Sequence, residues 1–507
     1  MTFPSPQSVL TAVVAVCLAA GLLATFVKWE RLGRRVDVVV VLVLVLVADA
    51  TLYPNTEASR AVGLFHPYIA GQSFRLIQLL IAVALMARVI ASGLPRRLLA
   101  AESLWLAFFV WYATSCVVGL LDGNDPKLVL ARGFFILEAG GMLALTAGVP
   151  VDDLLGDRGI RRLTRWCGAL AAGLIVTTEL GIQFTTTWPG IPLVSAGEVG
   201  SNLATIFISL GVLGLASEMG RRRRSPTVLL AATALLLAHL VSSQRAARLG
   251  LAVVLITFLL VLLLPRGRPR PFSAGDAAAL LAVILAAVSV PLLVWSITTS
   301  TGGSPLNAYP FLDRTLQAVD TGYRQGSVES RFNEWAEALP LIRDRPVFGN
   351  GVGTTFDHHD VGKDVVIRYD ITNNLILDLL LRAGAVGLIG FTLAWVATCR
   401  LALLVWRRGR DQVALLAVAA GCALAGMVAK AMVESIINEY RMTVLIGLLA
   451  GVVFSAGRAM PVRSGPTKHP ESAGRDDGTD EAGPEACAPP DVHRRESSRQ
   501  IRAFPDA

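Results

Sequence analysis

The sequence predicts an all-α polytopic membrane protein with about 12 or 13 transmembrane helices and one large external loop. Hydrophobic residues make up 53% of the 507 residues and charged residues only 17%, and the mean hydropathy is +0.57. A soluble domain carries more charge and fewer apolar side chains, so this composition excludes the soluble classes. Apolar segments long enough to cross about 30 Å of hydrocarbon also recur along most of the chain.

These apolar segments define the individual helices. About thirteen windows are long enough to span a bilayer, although the ends of several are not fixed to a residue. The predicted spans lie near residues 9–27, 36–54, 74–92, 98–121, 128–148, 166–184, 200–218, 226–243, 247–264, 276–298, 384–406, 412–434 and 442–457.

The charges of the connecting loops predict the orientation in the membrane. Basic clusters occupy every second loop, as the positive-inside rule requires of cytoplasmic turns. These clusters lie at residues 28–35, 88–97, 158–165, 221–224, 266–270 and 400–410. We therefore expect a multi-pass protein of the cytoplasmic membrane with its N-terminus outside and its C-terminus inside. The net charge of +8 follows from this topology, so no nucleic-acid partner is expected.

We divide the chain into four regions. Residues 1–298 carry the first ten helices, 299–372 form the large extracytoplasmic loop, and 373–459 carry the C-terminal helices. Residues 460–507 are rich in Pro, Gly, Ser and charged residues, which predicts a disordered cytoplasmic tail. The six cysteines show neither a metal-binding spacing nor a disulfide framework, and no cofactor is expected.

Function is expected in the long polar loop, because lipid-facing spans need only apolar side chains. Arg331 stands near the start of a segment in which apolar residues recur at a spacing of three or four. These residues are Phe332, Trp335, Leu339 and Ile342. The spacing predicts an amphipathic helix on the outer membrane surface, capped by Ser330 and ended by Pro346.

A glycine-rich turn, residues 349–353, follows this helix and contains Gly349, Gly351 and Gly353. Two interpretations fit the pattern: a backbone that approaches a ligand closely, or a simple turn that joins two helices. A dinucleotide fingerprint is excluded, because the spacing differs and no parallel sheet is expected around it.

Four polar residues, Asp357, His358, His359 and Asp360, follow the glycine turn. Histidines and carboxylates are metal ligands, but adjacent residues rarely bind one ion without further ligands. We therefore predict a solvated loop here, and no metal site.

Arg245 and Arg248 begin the ninth predicted span and lie on one helical face. Two guanidinium groups beside a helix N-terminus could bind a phosphate or a pyrophosphate. The alternative interpretation is that both side chains extend to lipid headgroups.

Several charged residues fall inside or beside predicted spans. Lys430 and Glu434 are four residues apart, as are Asp378 and Arg382, so each pair can meet on one helical face. Ion pairing is the expected role of both pairs, although a proton-coupled transporter would also use such residues. The other charges of this kind are Asp49, Arg132, Glu138 and Glu179.

These residues together resemble the O-antigen ligase and polymerase superfamily, which are membrane glycosyltransferases with a GT-C-like helical fold. The first matching feature is an arginine after a serine-rich helix end, here Arg245. The second is an arginine that opens the long external loop and precedes a tryptophan and a P-x-x-G-x-G-x-G-like stretch. Here those positions are Arg331, Trp335 and residues 346–353.

The third feature is the ligase signature, in which a histidine and an Asn, Ser or Gln precede nine residues and G-x-x-G. In this chain Asn374, residues 375–383 and Gly384–Gly387 fit the signature, but Asn373 replaces the histidine. Asparagine forms hydrogen bonds but cannot accept a proton near neutral pH. The resemblance therefore leaves three alternatives: a neighbouring residue replaces the histidine, Asn373 only orients the substrate, or the chain is an inactive relative. The neighbouring candidates are Glu329, His358, His359 and Asp370.

The resemblance implies a donor glycan on a polyprenyl diphosphate and a glycan, lipid or protein acceptor. Arg245, Arg248 and Arg331 would bind the diphosphate, without a metal. Asn202 follows a glycine-rich turn, as a residue does in the family, and is a further candidate. The rival functions are a polysaccharide-related transporter or flippase, which would use buried charges such as Lys430 and Glu434, and a non-catalytic subunit of an assembly complex.

Overall fold

The computed structural model describes most of the chain apart from the C-terminal tail and several connecting segments. The described residues are 6–52, 68–69, 72–73, 75–93, 98–179, 187–188, 191–192, 201–219, 221, 223–238, 245–264, 324–360, 365–434 and 439–460. Of the predicted tail, residues 460–507, only Met460 is described. The predicted span at 276–298 and the side chains of Arg245, Glu329 and Asp360 also lie outside this description.

Helices account for nearly all of the described structure, which confirms the predicted all-α class. They are α1 (Pro6–Arg31), α2 (Arg35–Leu52), α3 (Leu76–Ser92), α4 (Ala100–Leu121), α5 (Pro126–Phe135), α6 (Gly141–Ala147), α7 (Val151–Leu155), α8 (Ile160–Glu179), α9 (Ser201–Glu218), α10 (Pro226–Leu237), α11 (Arg245–Leu263), α12 (Arg324–Asp344), α13 (Leu375–Arg408), α14 (Asp411–Ala431) and α15 (Tyr440–Arg458). A π-helical turn, Ile136–Gly140, joins α5 to α6.

Strands form three short antiparallel hairpins. Two of them pair two residues with two: β1 (Tyr68–Ile69) with β2 (Gln72–Ser73), and β3 (Thr187–Trp188) with β4 (Ile191–Pro192). The third pairs β5 (Phe356–Asp360) with β6 (Val365–Tyr369), in the register Phe356↔Tyr369. The prediction of a solvated loop at 357–360 is therefore wrong, because the β-branched residues of β6 provide a strand for this segment to pair with.

Six helices in the described part of the chain are long and apolar enough to cross a membrane. They are Ala100–Leu121, Pro126–Ala147, Ala246–Leu263, Leu375–Arg408, Asp411–Ala431 and Tyr440–Arg458. Three shorter apolar helices, α3, most of α9 and α10, coincide with further predicted spans. The predicted total of 12 or 13 spans and the GT-C-like arrangement stay predictions.

The centre of the helical bundle consists of α14 and α15. Every residue of the most apolar window of α15 is buried in the protein, and so are 78% of the residues in that of α14. By contrast, α4 and α13 bury only 33% and 28% of theirs, so most of their surface faces outward. Helices at the periphery of a membrane bundle present apolar side chains to lipid, and α4 and α13 fit that position.

Helix α12 differs from its prediction at one end. It begins at Arg324, so Ser330 lies inside the helix and does not cap it. Its C-terminal end at Asp344, just before Arg345 and Pro346, agrees with the sequence. Phe332 and Leu339 are exposed, whereas Glu334, Ala338 and Ile342 are buried, so the helix contacts the protein through a partly polar face.

Helix α13 is interrupted one third of the way along its length, at Gly384, where φ is 67°. A side chain is excluded at this position for two reasons: the left-handed conformation disfavours a Cβ, and a Cβ would lie 2.2 Å from the carbonyl oxygen of Val347. The interruption turns the first helical segment of α13 towards α12 and the β5–β6 hairpin.

The backbone groups freed by this interruption find partners in residues 346–351, which lead into the glycine turn, and in α4. This satisfies a requirement of apolar surroundings, in which an unpaired peptide group costs several kcal/mol. The replacement bonds are Asn350 N to Leu381 O at 2.8 Å, Gly351 N to Arg382 O at 3.1 Å, Trp111 Nε1 to Ala383 O at 2.9 Å, Ala385 N to Pro346 O at 2.9 Å and Val386 N to Val347 O at 3.2 Å.

Candidate functional site

The polar residues singled out in the long loop converge where α12, the β5–β6 hairpin and the start of α13 meet. We call the group of Arg331, Glu334, Glu337, His358 and Asn373 the α12 cluster. Three of its members, spaced by three residues, project from successive turns of α12. Glu337 contacts the hairpin, 21 residues further along the chain, and Glu334 contacts the segment before α13, 39 residues further along.

The centre of the α12 cluster is a contact between Glu334 and Asn373. Both donors of Asn373, its backbone N–H and its side-chain amide, donate to the two carboxylate oxygens of Glu334, the latter at 2.8 Å. Glu334 is buried, with 2% of its surface exposed, whereas Asn373 is only half-buried. The residue at the signature position is thus held by a carboxylate that the sequence analysis did not single out.

The environment of Glu334 favours its neutral form. Burial raises the pKa of its carboxyl group, and the hydrogen bonds from Asn373 and the charges of His358 and Arg331 oppose that shift only in part. No cation forms an ion pair with Glu334 among the described residues. A buried carboxylate with a raised pKa is a candidate proton acceptor, because its basicity lies closer to neutral pH.

His358 occupies the other end of the α12 cluster. Its Nδ1 atom lies 2.7 Å from the Glu337 carboxylate, and its ring is edge-on to Tyr369 with 5.0 Å between the centroids. The backbone N–H of His359 donates to the other Glu337 oxygen at 3.1 Å. Glu337 therefore fastens the hairpin to α12, with the His358 ring buried between them and the His359 side chain exposed.

The Asp370 carboxylate forms an ion pair with an arginine from another helix. Arg132 of α5 approaches the Asp370 carboxylate through two nitrogens, at 2.9 Å and 2.7 Å. The backbone carbonyl of Asp370 accepts from Arg382 at 2.5 Å, and Arg382 pairs with Asp378 at 3.2 Å. The predicted ion pair between Asp378 and Arg382 is therefore confirmed, and both side chains are buried.

Asn374, the residue after Asn373, contacts two helices through its side chain. Asn374 caps α13 by accepting from the N–H groups of Ile376 and Leu377, at 3.0 and 3.2 Å. Its side-chain amide donates to the carbonyl of Met432, just beyond α14, at 3.1 Å. The signature position is therefore held between α12 and the end of α14.

Lys430, two residues before Met432 in the chain, contacts Asn202. The Lys430 ammonium is buried, donates to Asn202 Oδ1 at 2.9 Å and lies 3.5 Å from the Glu434 carboxylate. The predicted Lys430–Glu434 pair is thus confirmed, and Asn202 joins it. We call Lys430, Asn202 and Glu434 the Lys430 cluster. The contact between Asn374 and Met432 connects it to the α12 cluster.

The arginines of α11 lie on the helix that packs against the Lys430 cluster. Gly250 of α11 approaches Gly426 of α14 so closely that an added Cβ would lie 3.2 Å from its carbonyl oxygen and 3.8 Å from Lys430 Cβ. Arg248, two residues before Gly250, is half-buried. Arg245 is the first residue of α11.

The glycine turn serves as a packing element. A Cβ on Gly351, where φ is 80°, would lie 2.4 Å from the backbone nitrogen of Gly119 in α4. A Cβ on Gly353 would lie 2.7 Å from Val129 in α5. These contacts, with the bonds to α13 described above, favour the interpretation of a turn between helices over that of a ligand-binding loop.

Trp335 lies beside the α12 cluster. Its ring contacts Phe332 edge-on with 5.2 Å between the centroids. Its indole N–H is buried, and none of the described residues accepts a hydrogen bond from it. Within the described residues, no group of three or more His, Cys, Asp or Glu side chains could hold a metal ion.

A groove of about 760 Å³ adjoins the site between α4 and the α5–α6 segment. Its lining is almost wholly apolar and includes Leu120 and Val129 near the glycine turn. It continues into a second groove of about 1010 Å³ that reaches Arg88 and Arg458. Residues common to both grooves are Leu85, Ile136, Gly140 and Ala144.

The sequence analysis missed Glu334, Glu337 and the pairing of Arg132 with Asp370. A usable signal was present for the first two, because Arg331, Glu334 and Glu337 recur at a spacing of three on a predicted helix. No local pattern signals the contact between Arg132 and Asp370, which are 238 residues apart.

One comparison with known proteins bears on this site. Residues 226–392, about a third of the chain, match the family model described as O-antigen ligase (Wzy_C). The matched segment contains Arg248, the whole α12 cluster and the interrupted start of α13. The match supports the O-antigen ligase and polymerase superfamily, as the sequence predicted. No curated protein matches the chain.

Proposed function

Taking the chain as a member of the O-antigen ligase and polymerase superfamily, we propose that it is a glycosyltransferase of the cytoplasmic membrane. It transfers a glycan from a polyprenyl-diphosphate carrier to an acceptor hydroxyl at the outer membrane face, in the biosynthesis of a cell-surface polysaccharide. The observation that carries this proposal is the α12 cluster. It places an arginine that has no ion pair among the described residues, a buried carboxylate and the signature position together within the segment that matches the O-antigen ligase family.

The diphosphate is bound by arginines in this proposal. The leaving diphosphate gains negative charge as its bond to the sugar breaks, and preorganised cations stabilise that charge. Arg331 is half-buried and forms no ion pair among the described residues, so its guanidinium group is available for a ligand. Arg248 and Arg245, at the start of α11, would supply further cations, and no metal is required for this role.

The carrier lipid is proposed to lie in the apolar groove beside α4. The groove has the lining that an isoprenoid chain requires, and small residues such as Gly133 and Gly140 widen it along its length. Val129 at one end contacts the glycine turn, and Arg132, one turn further on, holds Asp370. A lipid tail in this groove would thus end close to the segment that carries Asn373.

The rival interpretation, a transporter or flippase, is favoured by one observation. The Lys430 ammonium is buried with Asn202 and Glu434 in a helix that could span the membrane, and such residues often serve ion-coupled transport. This cluster is compact and internally paired, however, whereas Arg331 forms no ion pair with any of the described residues. We therefore place the transferase first.

Glycan profiling of the native organism tests the transferase. We expect deletion of the gene to cause accumulation of polyprenyl-linked glycan and loss of long or attached polymer. The wild-type gene should restore the profile, whereas Arg331→Ala should lower the restored polymer by about 100-fold, the usual cost of removing one group that stabilises developing charge. Arg343→Ala is the matched control, because Arg343 lies on the same helix and is exposed.

The outcomes separate the candidate functions. Full restoration by Arg331→Ala, at equal protein levels, would contradict the catalytic role of Arg331 and favour a non-catalytic subunit. An unchanged lipid-linked pool and polymer profile in the deletion strain would contradict the transferase altogether. Accumulation of the lipid-linked glycan only on the cytoplasmic side would favour the flippase.

A further inference from the structure

One step of the proposed reaction has no assigned group. The acceptor hydroxyl must lose a proton as it attacks the sugar, and Asn373, at the position of the signature histidine, cannot accept a proton near neutral pH. Building on the proposed function, we propose that the carboxylate of Glu334 accepts this proton. The carboxylate would therefore supply the chemistry that the missing histidine supplies elsewhere.

The position of Glu334 relative to Asn373 carries this assignment. Both hydrogen-bond donors of Asn373 point at the two oxygens of Glu334, so the carboxylate lies directly behind the signature side chain. A group that reaches past the Asn373 amide therefore meets Glu334 next. Each carboxylate oxygen accepts more than one hydrogen bond, which leaves capacity for a hydroxyl donor.

His358 is less suited to this role. Its Nδ1 atom is engaged by Glu337 at 2.7 Å, its ring is buried against Tyr369, and the hairpin that carries it is fastened to α12 through the same glutamate. Every one of these contacts is explained by the docking of the hairpin. His358 thus has a structural role that is complete without a substrate.

Asp370 and His359 are also less suited. The Asp370 carboxylate receives two bonds from Arg132, and a carboxylate paired with arginine is a weak base. The His359 side chain is exposed on the hairpin, and its backbone, not its ring, contacts Glu337. Of the candidates in the described structure, Glu334 alone combines a carboxylate, no paired cation and contact with the signature position.

The spacing of Arg331 and Glu334 fits a direct displacement. Three residues on an α-helix are separated by about 4.5 Å along its axis and lie on one face. In an in-line displacement, the attacking and the leaving oxygen stand on opposite sides of the anomeric carbon. Arg331 would contact the leaving diphosphate while Glu334 contacts the attacking hydroxyl, one helical turn away.

Access to Glu334 requires one small movement. Glu334 is 2% exposed, and the amide of the half-buried Asn373 bonds to it. Rotation of the Asn373 side chain breaks a single hydrogen bond between side chains, while the backbone bond to Glu334 stays in place. An acceptor hydroxyl can replace that bond with its own.

The step is balanced as follows. The acceptor oxygen forms a bond to the anomeric carbon while the bond between that carbon and the diphosphate oxygen breaks. The diphosphate leaves with the electron pair, beside Arg331. The hydroxyl proton passes to a Glu334 oxygen and is then released to solvent, which regenerates the carboxylate.

The charges around Glu334 bear on the pH dependence. The charges of Arg331 on α12 and His358 on the hairpin act on Glu334. Glu337 lies one turn further along α12, and Tyr369 packs against the His358 ring. Asp378 and Arg382 belong to the segment of α13 that packs on α12. Burial raises the pKa of Glu334, and activity requires the ionised form. Transfer should therefore fall as the pH decreases through that raised pKa.

Three variants of the reconstituted full-length protein test the assignment, with a lipid-linked glycan as donor. Glu334→Gln should lower transfer by about 100-fold or more, since general-base catalysis contributes 10²- to 10⁴-fold, and should abolish the acid-side fall in rate. Asn373→Ala uncovers Glu334 and should stay within about tenfold of wild type. The double variant Glu334→Gln/Asn373→His should regain at least about tenfold over Glu334→Gln, because the histidine accepts a proton.

Asp344→Asn is the matched control. Asp344 is an exposed carboxylate at the end of the same helix and lies outside the α12 cluster, so this variant should stay within about threefold of wild type. Thermal midpoints of the purified variants identify any that fail to fold. If Glu334→Gln does not fold, Glu334→Asp takes its place, and it should show a reduced rate that still falls on the acid side.

The results separate the two proposals. An active wild type with Glu334→Gln within about threefold of it overturns the assignment of Glu334 alone. Equal losses in Glu334→Gln and Asn373→Ala, without recovery in the double variant, also overturn it, because Glu334 would then act only by positioning Asn373. A wild-type protein that transfers no glycan from any lipid-linked donor overturns the proposed function and this assignment with it.

Discussion

Two buried carboxylates stand close together at the start of α13, and their partners differ. Asp378 pairs with Arg382 at 3.2 Å, and both side chains are about 99% buried. Glu334 is equally buried but bonds only to the neutral amide groups of Asn373, with no ion pair among the described residues. An ion pair compensates a buried charge, whereas a neutral amide does so only in part. We therefore assign the first acid to the scaffold and propose that the second is the reactive one.

The same contrast separates the glycine turn from the α12 cluster. In the turn, the backbone groups of Asn350 and Gly351 bond to α13, so they are committed to the fold. In the α12 cluster, Arg331 is without an ion pair and the indole N–H of Trp335 without an acceptor in the described structure. The P-x-x-G-x-G-x-G-like stretch thus packs the helices together, and we propose that the helix before it supplies the groups for a ligand.

The largest effect is expected from breaking the Asp378–Arg382 pair. Arg382→Met leaves the Asp378 carboxylate buried without its cation and should lower the free energy of unfolding by about 3–5 kcal/mol. Glu334→Gln removes no ion pair and should cost less than about 2 kcal/mol. Unfolding of the detergent-solubilised variants, followed by helical circular dichroism, measures both.

The double variant Asp378→Leu/Arg382→Met is the control, since it removes both charges and should recover most of the loss. If Arg382→Met and Glu334→Gln destabilise equally, the two carboxylates have the same structural role and the comparison is wrong.

A smaller loss is expected at the interruption that brings α13 to the site. Gly384→Ala places a Cβ 2.2 Å from the Val347 carbonyl oxygen at a φ of 67°, which should cost at least about 1–3 kcal/mol. Gly390→Ala, six residues further along the same helix, meets only an ordinary contact at 3.7 Å and should be neutral or slightly stabilising. Thermal midpoints of the two variants are the measurement, and equal midpoints would show that the interruption carries no such constraint.

A still smaller effect is expected at the Lys430 cluster if it belongs to the scaffold. Lys430→Met keeps the volume of the side chain and removes a buried charge. Its partner Glu434 has 26% of its side chain exposed, so it is not left as a fully buried charge as Asp378 would be. We therefore expect a change in stability within about 1 kcal/mol and polymer formation within about threefold of wild type. Polymer formation in the complemented deletion strain measures the outcome. Loss of polymer at normal protein levels would instead assign Lys430 to the reaction or to transport.

The smallest effect is a slope in stability with pH. The pKa of Glu334 is raised in the folded protein, so the unfolded chain loses this proton first. The stability contributed by the neutral carboxyl is therefore fully present below the unfolded pKa of about 4.3 and is lost as the pH rises through the folded pKa. Glu334→Gln should flatten this slope, and thermal midpoints across that pH range would detect it. An unchanged slope would contradict the raised pKa.

Sequence patterns predicted the membrane-spanning helices well because each is recorded in one continuous apolar segment. Helices α4, α14 and α15 agree with their predicted spans to within about three residues at nearly every end. Helix α13 begins nine residues earlier than the predicted span, because its first segment packs on protein and is not limited by the width of a bilayer. The end of α12 before Pro346 was also predictable, since proline disfavours helix in the residue before it.

The candidate site was predictable only in part. Arg331 and Asn373 could be selected from their order and spacing, but Glu334 is defined by a partner 39 residues away. The β5–β6 hairpin was missed because Asp357–Asp360 reads as polar loop, and only pairing with Val365–Tyr369 makes it a strand. Contacts of this kind depend on tertiary structure, for which a single sequence contains no local signal.

The most direct test of the central claim is the release of polyprenyl diphosphate from a lipid-linked glycan in vesicles that contain only the purified protein and an acceptor. We predict release coupled to transfer of the glycan by the wild type and by Arg343→Ala, and a rate about 100-fold lower for Arg331→Ala. Equal release by Arg331→Ala and wild type, or no release by the wild type in the presence of its native donor, would contradict the assignment of the α12 cluster as a glycosyltransferase site.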